Sequence, residues 1–397
     1  MFSEMNALPF DSLLGLTKLF NEDNRAKKID LGVGVFRDKE NRTPILHAVK
    51  TAEQRLFEKQ TTKVYTPPEG APGFADAIAK LLLGEAHPSL KEVRYTAVQS
   101  VGGSGAVRLG GELIKRAGAE AITIGAPTWA NHQPLLTAAG HKIKMIPYYD
   151  AERREILFGE FLSAIGELGP KDALLLHGPC HNPTGADLSR EQIDAVLDCA
   201  EQRGFLIFID AAYHGFAQGL DEDAYLPREA ARRLPEVVVS YSCSKNFGLY
   251  RERTGALIVI GENAEKAAAL KTHLLNLARG NYSMPPAHGA EIVAEILSSP
   301  DLAKMWRDEL AAMREAIKEN RRVLVRASAE MQMGDLLSYI ESQNGMFSML
   351  PVSESQVLAM REKHGIYMAG NGRINLCGVN EGNVAHLCEA LRDAIGK

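Results

Sequence analysis

The sequence predicts an α/β protein: a large domain with a mostly parallel sheet sandwiched by helices, plus a smaller α/β domain. Two observations carry this. Through the middle of the 397 residues, short apolar runs alternate with amphipathic helical segments, whereas residues 313–397 interleave helices with isolated short strands. The length exceeds what one compact core covers, which favours two domains.

The strand candidates are EAITIG (120–125), DALLLHG (172–178), GFLIFID (204–210), EVVVSYS (236–242) and GALIVIG (255–261). Each has a mostly apolar centre, the pattern of strands covered on both faces. Between the second and third lies LSREQIDAVLDCAEQRG, where Ser189 and Gln192 form a capping box and Gly204 ends a helix. Strand, helix, strand at this spacing is a βαβ unit, and repetition of it implies parallel pairing. Near the C-terminus, SESQVLAMREKHG (353–365) repeats the capping-box-to-glycine pattern, GMFSML and GIYM read as strands, and a helix is expected near 382–395. The boundaries fall at 1–45 for an N-terminal arm and part of the small domain, 46–312 for the large domain, and 313–397 for the small domain.

Bulk properties narrow the function. With 45% hydrophobic and 24% charged residues the chain is an ordinary globular protein, and its net charge of −5 offers no footprint for nucleic acid. No apolar run approaches the roughly 18–20 residues that span a bilayer. The opening MFSEMNALPFDSLLGL has no pattern of a secretory signal. Five scattered cysteines without a CxxC pair read as free thiols, so a cytoplasmic location is expected and a membrane association is not.

In doubly wound sheets, ligands sit beyond the carboxyl ends of the strands. Three polar strand tails occupy that position: HGPCHNPTG, DAAYHGF and SYSCSKNFGLYRER. His177, Cys180 and His181 do not have zinc-site spacing, so no metal is expected. Asn182, before Pro183, presents an amide from a turn. Asp210 ends an apolar strand, where a carboxylate needs a cation or hydrogen bonds. Lys245 follows another such strand, with Arg253 close behind it. The loop Gly102-Gly103-Ser104-Gly105 opens a helix, whose amides and dipole favour an anion. An amine, a strand-end carboxylate, an anion-binding helix start and an arginine together meet the needs of pyridoxal 5′-phosphate (PLP). The amine forms a Schiff base, and the carboxylate keeps the pyridine nitrogen protonated.

Ordered motifs along nearly the whole chain extend this reading: DSLLGL, IDLGVGVFRD, YTPPEG, GGSGAVR, PTWANH, HNPTG, DAAYHGF, SCSKNFGLYRERTG, RGNYSMPPAHGA and GRINLCG. In them the sequence resembles the class I, PLP fold type I aminotransferases, specifically the aspartate and aromatic amino-acid subgroup. The resemblance implies that Lys245 is the Schiff-base lysine and that Asp210 pairs with the pyridine nitrogen, with His132 behind it in support; the residues of HGPCHNPTG themselves suggest a supporting role for His177. It implies that Trp129 stacks on the ring, and that Asn182 and Tyr213 hydrogen-bond the ring 3-hydroxyl. Gly103, Ser104, Ser242 and Arg253 would take the phosphate, joined by Tyr65 of the partner subunit. Arg373 would bind the substrate α-carboxylate, and Arg279 of the partner subunit the distal carboxylate of a dicarboxylic substrate. Gly34 would let an N-terminal segment close over the substrate. A homodimer acting on amino acids and 2-oxo acids such as 2-oxoglutarate, by a ping-pong mechanism, follows from the same resemblance.

Val64 and Met284 are apolar where aspartate-specific relatives carry asparagine, His214 replaces the usual glutamine, and TPPEG alters the segment after Tyr65. These departures imply that aromatic side chains are accepted beside dicarboxylates. Two other readings use the same scaffold: another PLP reaction, such as a β-lyase or a decarboxylase, and a non-catalytic binding protein. The second would be expected to lose Lys245 or Asp210, and the chain keeps both.

Overall fold

The computed structural model describes residues 2–7 and 12–396. Asp11, which heads DSLLGL, lies outside the described residues. The chain forms two compact units. The larger comprises residues 44–182 and 186–316, and the smaller comprises the described residues of 1–43 and 317–397 together with 183–185. Pro300–Glu330 is one uninterrupted helix through positions 312 and 316. Residues 183–185 join the smaller unit because Asn344 donates its amide to the Gly185 carbonyl at 2.8 Å. The Gly185 Cα packs so tightly there that a Cβ would lie 2.4 Å from the Phe347 carbonyl oxygen.

The larger unit is built on a seven-stranded sheet in the order Tyr95–Val101, Thr254–Ile260, Val237–Ser242, Leu206–Ala211, Asp172–His177, Ala121–Ala126 and Lys142–Pro147. The five expected apolar runs all form strands. Tyr95–Val101 and Lys142–Pro147 do not announce themselves, because their burial does not follow from an apolar run. Thr96, Gln99 and Ser100 are buried polar residues of the first, and Gln99 is satisfied by the Ala71 amide and the Pro286 carbonyl. The second is an edge strand whose Lys142 is exposed and keeps its open side charged.

Thr254–Ile260 runs antiparallel to both neighbours, while the remaining pairs are parallel. The segment between Ser242 and Thr254 therefore leaves and returns at the same end of the sheet. That return places Arg253 beside Gly102, whose amide donates to the Arg253 carbonyl at 2.8 Å. Helix Gly102–Arg116 lies on the sheet through Ala106, Val107, Leu109, Leu113 and Ile114, packed with Phe208, Val238 and Leu257. Gly110 allows that approach, since a Cβ there would meet the Phe208 ring at 2.7 Å.

In the smaller unit, Ile29–Asp30 pairs in parallel with Ile366–Tyr367, and Phe347–Met349 pairs antiparallel with Arg373–Asn375. Leu31, Leu324, Leu337, Met360, Ile374 and Leu387 share its core. Helix Glu354–His364 begins at the expected capping box of Ser353 and Gln356 and ends at left-handed Gly365. Among the described residues no helix is long and apolar enough to cross a membrane.

Candidate active site

Parallel register sets the floor of the site. His177 stands opposite Asp210, and Asp210 opposite Ser240, on three adjacent strands. Alternation of side chains along Val237–Ser242 puts Ser240 and Ser242 on one face and Tyr241 on the other. The Ser240 hydroxyl donates to Asp210 Oδ1 at 3.2 Å, and His132 Nε2 lies 3.0 Å from Asp210 Oδ2. Thr128 Oγ1 lies 2.8 Å from His132 Nδ1 and 2.9 Å from His177 Nε2.

Proton assignment in this chain follows from what each end can accept. Asp210 is buried; burial pushes its pKa up, but the His132 hydrogen bond and the nearby Lys245 amine outweigh that and hold it below the ordinary carboxylate value. An ionised carboxylate only accepts, so His132 Nε2 donates to it. Nδ1 of the same ring faces the Thr128 hydroxyl, which in turn faces His177 Nε2. Burial, with His132 nearby, depresses the His177 pKa to about 3 and keeps that ring neutral. Burial, with His177 and His132 nearby, also holds the His181 pKa well below its ordinary value, and its ring stacks on Tyr148 at 4.5 Å.

Lys245 is half-buried, with its amine 4.8 Å from the centroid of the buried Tyr213 ring. Desolvation lowers its pKa to about 8; Asp210 opposes the shift and Arg253 adds to it. Asn182 is likewise buried. Gly248, at φ +66°, lets the chain turn just after Lys245, and its amide donates to the Lys245 carbonyl at 3.0 Å.

Beside the lysine stands a group of residues that could hold an anion. Gly102 begins the helix at φ +67°, where a Cβ would fall 2.5 Å from the Arg253 guanidinium. At Gly103 a Cβ would meet Ser242 Cβ at 2.8 Å. The start of the helix at Gly103 and Ser104, the Ser242 side chain and Arg253 are thus gathered without side chains between them.

Trp129 is half-buried and edge-on to His132, with ring centroids 5.2 Å apart. Tyr65 is 86% exposed. Arg279 is exposed too, donating to Ser283 Oγ at 2.6 Å and approaching Met284 Sδ at 3.2 Å. In the smaller unit, Arg373 is buried, donates to the Gly32 carbonyl at 2.9 Å and lies 4.4 Å from the Phe347 ring centroid. Gly34 abuts the tip of the same ring, where a Cβ would come within 2.8 Å of Phe347 Cζ. Around His177, the Cys180 and His181 amides both donate to the Asp187 carboxylate. Among the described residues no group of three or more metal-ligating side chains occurs.

Three contributors escape sequence reading. Thr128 links the two histidines, Ser240 supports Asp210, and Phe347 underlies Arg373. Thr128 had a usable signal, standing four residues before His132 at a helix start. Ser240 and Phe347 depend on strand register, which no local pattern encodes.

Comparison with known proteins agrees with this architecture. The sequence model of the family described as aminotransferase class I and II matches residues 26–391. The chain belongs to that family. It is 44% identical to an aromatic-amino-acid aminotransferase of Pseudomonas aeruginosa, covering 98% of both chains. It is 40% identical to an aspartate aminotransferase of Salmonella typhi, covering 98% of this chain and 99% of the other. A crystal structure of an aromatic-amino-acid aminotransferase from Burkholderia pseudomallei, covalently bound to pyridoxal phosphate, superposes with a TM-score of 0.97 at 36% identity over 99% of both chains. The fold is PLP fold type I, and aminotransferases of this family use PLP. The site's own features fit that cofactor: a partly neutral buried amine, an ionised buried carboxylate, and an anion cradle that Cβ atoms would fill.

Proposed function

We propose that the protein transfers amino groups between aspartate or aromatic amino acids and 2-oxoglutarate, in two successive half-reactions. The observation that carries the reading is Lys245, an amine lowered to a pKa of about 8 in a site with ionised Asp210. When bound, PLP supplies an aldehyde that captures amino groups and a ring that withdraws electrons. Lys245 would hold the cofactor covalently, with Gly103, Ser104, Ser242 and Arg253 around its phosphate and Trp129 against its ring. Asp210 would keep a proton on the pyridine nitrogen; the His132 hydrogen bond helps keep that carboxylate ionised, and the Ser240 hydroxyl orients it. Tyr213 and Asn182 would donate to the ring oxygen. Displaced by the substrate's amino group, Lys245 Nζ becomes the base that takes the Cα proton, a role suited to an amine already partly neutral at pH 7 to 8.

Arg373 would bind the α-carboxylate through its planar fork, held by the Gly32 carbonyl and the Phe347 ring. Gly34 would permit closure of its segment over the substrate. Tyr65 and Arg279 would serve the site of a second copy in a homodimer, and their exposure supports that use. The pairing of Arg279 with Met284 supports dual substrate use: the guanidinium suits a distal carboxylate, and the thioether an aromatic ring. None of the five cysteines, all among the described residues, forms a disulfide, which supports a cytoplasmic location.

The deciding experiment compares kcat/KM for aspartate and phenylalanine in wild type and Arg279→Leu. Loss of a charge-assisted contact should cost aspartate about 100-fold and leave phenylalanine within a few-fold. Equal losses, or a fully active monomer, would refute the assignment.

A further inference from the structure

Three fully buried polar residues lie directly behind the candidate site: His214 at 1% exposure, and Tyr241 and Asn246 at 0%. Each is the chain neighbour of a residue read above as a cofactor ligand. His214 follows Tyr213, Tyr241 precedes Ser242, and Asn246 follows Lys245. Side chains of adjacent strand residues point to opposite faces, so Tyr241 reaches away from the face that carries Ser240 and Ser242.

Their hydrogen bonds form one directed set. His214 Nε2 lies 2.7 Å from the Leu220 carbonyl, which can only accept, so that nitrogen carries the proton. Nδ1 of the neutral ring then accepts from the Tyr241 hydroxyl at 3.0 Å. Asn246 Nδ2 donates to Tyr241 Oη at 2.8 Å and to the His214 carbonyl at 3.2 Å. The set is anchored on both flanks. Trp306 Nε1 donates to the Asn246 carbonyl at 2.7 Å, and its ring stacks on Phe247 at 4.4 Å. The Asp223 carboxylate accepts from the amides of Gly215, Ala217, Gln218 and Gly219.

We propose that His214, Tyr241 and Asn246 form a positioning hub that sets the mutual placement of the Tyr213, Ser242 and Lys245 segments against the cofactor. This rests on the reading of those three residues as cofactor ligands. The hub touches none of the reacting atoms. It acts because each of its members fixes one segment and is itself fixed by the other two, so a break at one point lets three cofactor contacts drift together. Burial depresses the pKa of His214 and raises that of Tyr241, which keeps both groups neutral and the donor direction constant. Glutamine, with one acceptor and one donor at its end, can serve both neighbours of His214; leucine can serve neither.

The test uses the holoenzyme with His214→Gln, His214→Leu and Tyr241→Phe, and Leu387→Ala in the core of the smaller unit as a stability control. Two readouts are taken: the cofactor Kd, and the pH midpoint of the absorption of lysine-bound cofactor. With a buried hydrogen bond lost, His214→Leu and Tyr241→Phe should raise the cofactor Kd about tenfold and move the midpoint. His214→Gln should stay within about threefold, and Leu387→Ala should lower Tm while leaving both readouts in place. Should His214→Leu fail to fold, Tyr241→Phe, which removes a single oxygen, gives the same reading. Wild-type Kd and midpoint in Tyr241→Phe, or equal shifts in the Leu387→Ala control, would overturn the hub alone. Absence of lysine-bound absorption from the wild type would overturn the functional reading and the hub with it.

Discussion

Lys245→Met offers the sharpest test of the electrostatics on which catalysis depends. In the folded chain the amine's pKa falls from 10.5 to about 8 because burial disfavours its charge. A base whose pKa is lowered on folding destabilises the native state below its folded pKa; the cost is relieved as the folded amine loses its proton while the unfolded chain keeps it, until the unfolded chain deprotonates too. The window is therefore pH 8 to 10.5, with stability rising through it. The shift corresponds to at most about 3 kcal/mol at pH 7, less whatever solvent reaches the half-buried amine, and about 2.5 kcal/mol of it is recovered by pH 10. Urea unfolding of apoenzyme, wild type against Lys245→Met, at pH 7 and pH 10 isolates the term, since other titrations cancel in the difference. Wild type should gain on the variant by up to that amount. A stability difference that stays the same at both pH values would show that Lys245 titrates like an exposed lysine. The same shift makes about 9% of the amine neutral at pH 7, roughly 300-fold more than for an unperturbed lysine, so cofactor capture by apoenzyme should accelerate with pH toward a midpoint near 8.

Three further outcomes are expected. Asp210→Asn should lower kcat/KM at least about 100-fold while cofactor still binds, because it removes the buried negative charge that His132 and Ser240 are arranged to hold; steady-state kinetics at fixed cofactor saturation checks this. Gly103→Ala places a Cβ 2.8 Å from Ser242 Cβ and should weaken cofactor binding about tenfold, measured by absorbance titration, with little change in Tm. Arg373→Lys loses the planar fork and the stacking on Phe347, and should raise KM for amino and 2-oxo acids alike by about 10- to 100-fold. An effect on only one of the two substrates would argue against recognition of the shared carboxylate.

Much of this architecture was legible locally. Ser189 with Gln192 and Ser353 with Gln356 start their helices where the pattern places them, because a capping box is closed by residues three apart. Continuously apolar runs identify strands buried on both faces, and their polar tails point to Asp210, Lys245 and Asn182. The strand Tyr95–Val101 was hidden because its buried Gln99 is satisfied by Ala71 and Pro286, partners far away in sequence.

By itself, the order of residues determined the class of chemistry: an amine, a carboxylate and an anion cradle are properties of residue types and short spacings. Tertiary structure decided what those groups are worth. Whether Asp210 is ionised depends on His132 and the Lys245 amine nearby, and the pKa of Lys245 on its burial. Whether Arg253 returns to Gly102 depends on Thr254–Ile260 running antiparallel. Desolvation and cross-strand register are sums over neighbours distant in the chain, and only folding brings those neighbours together.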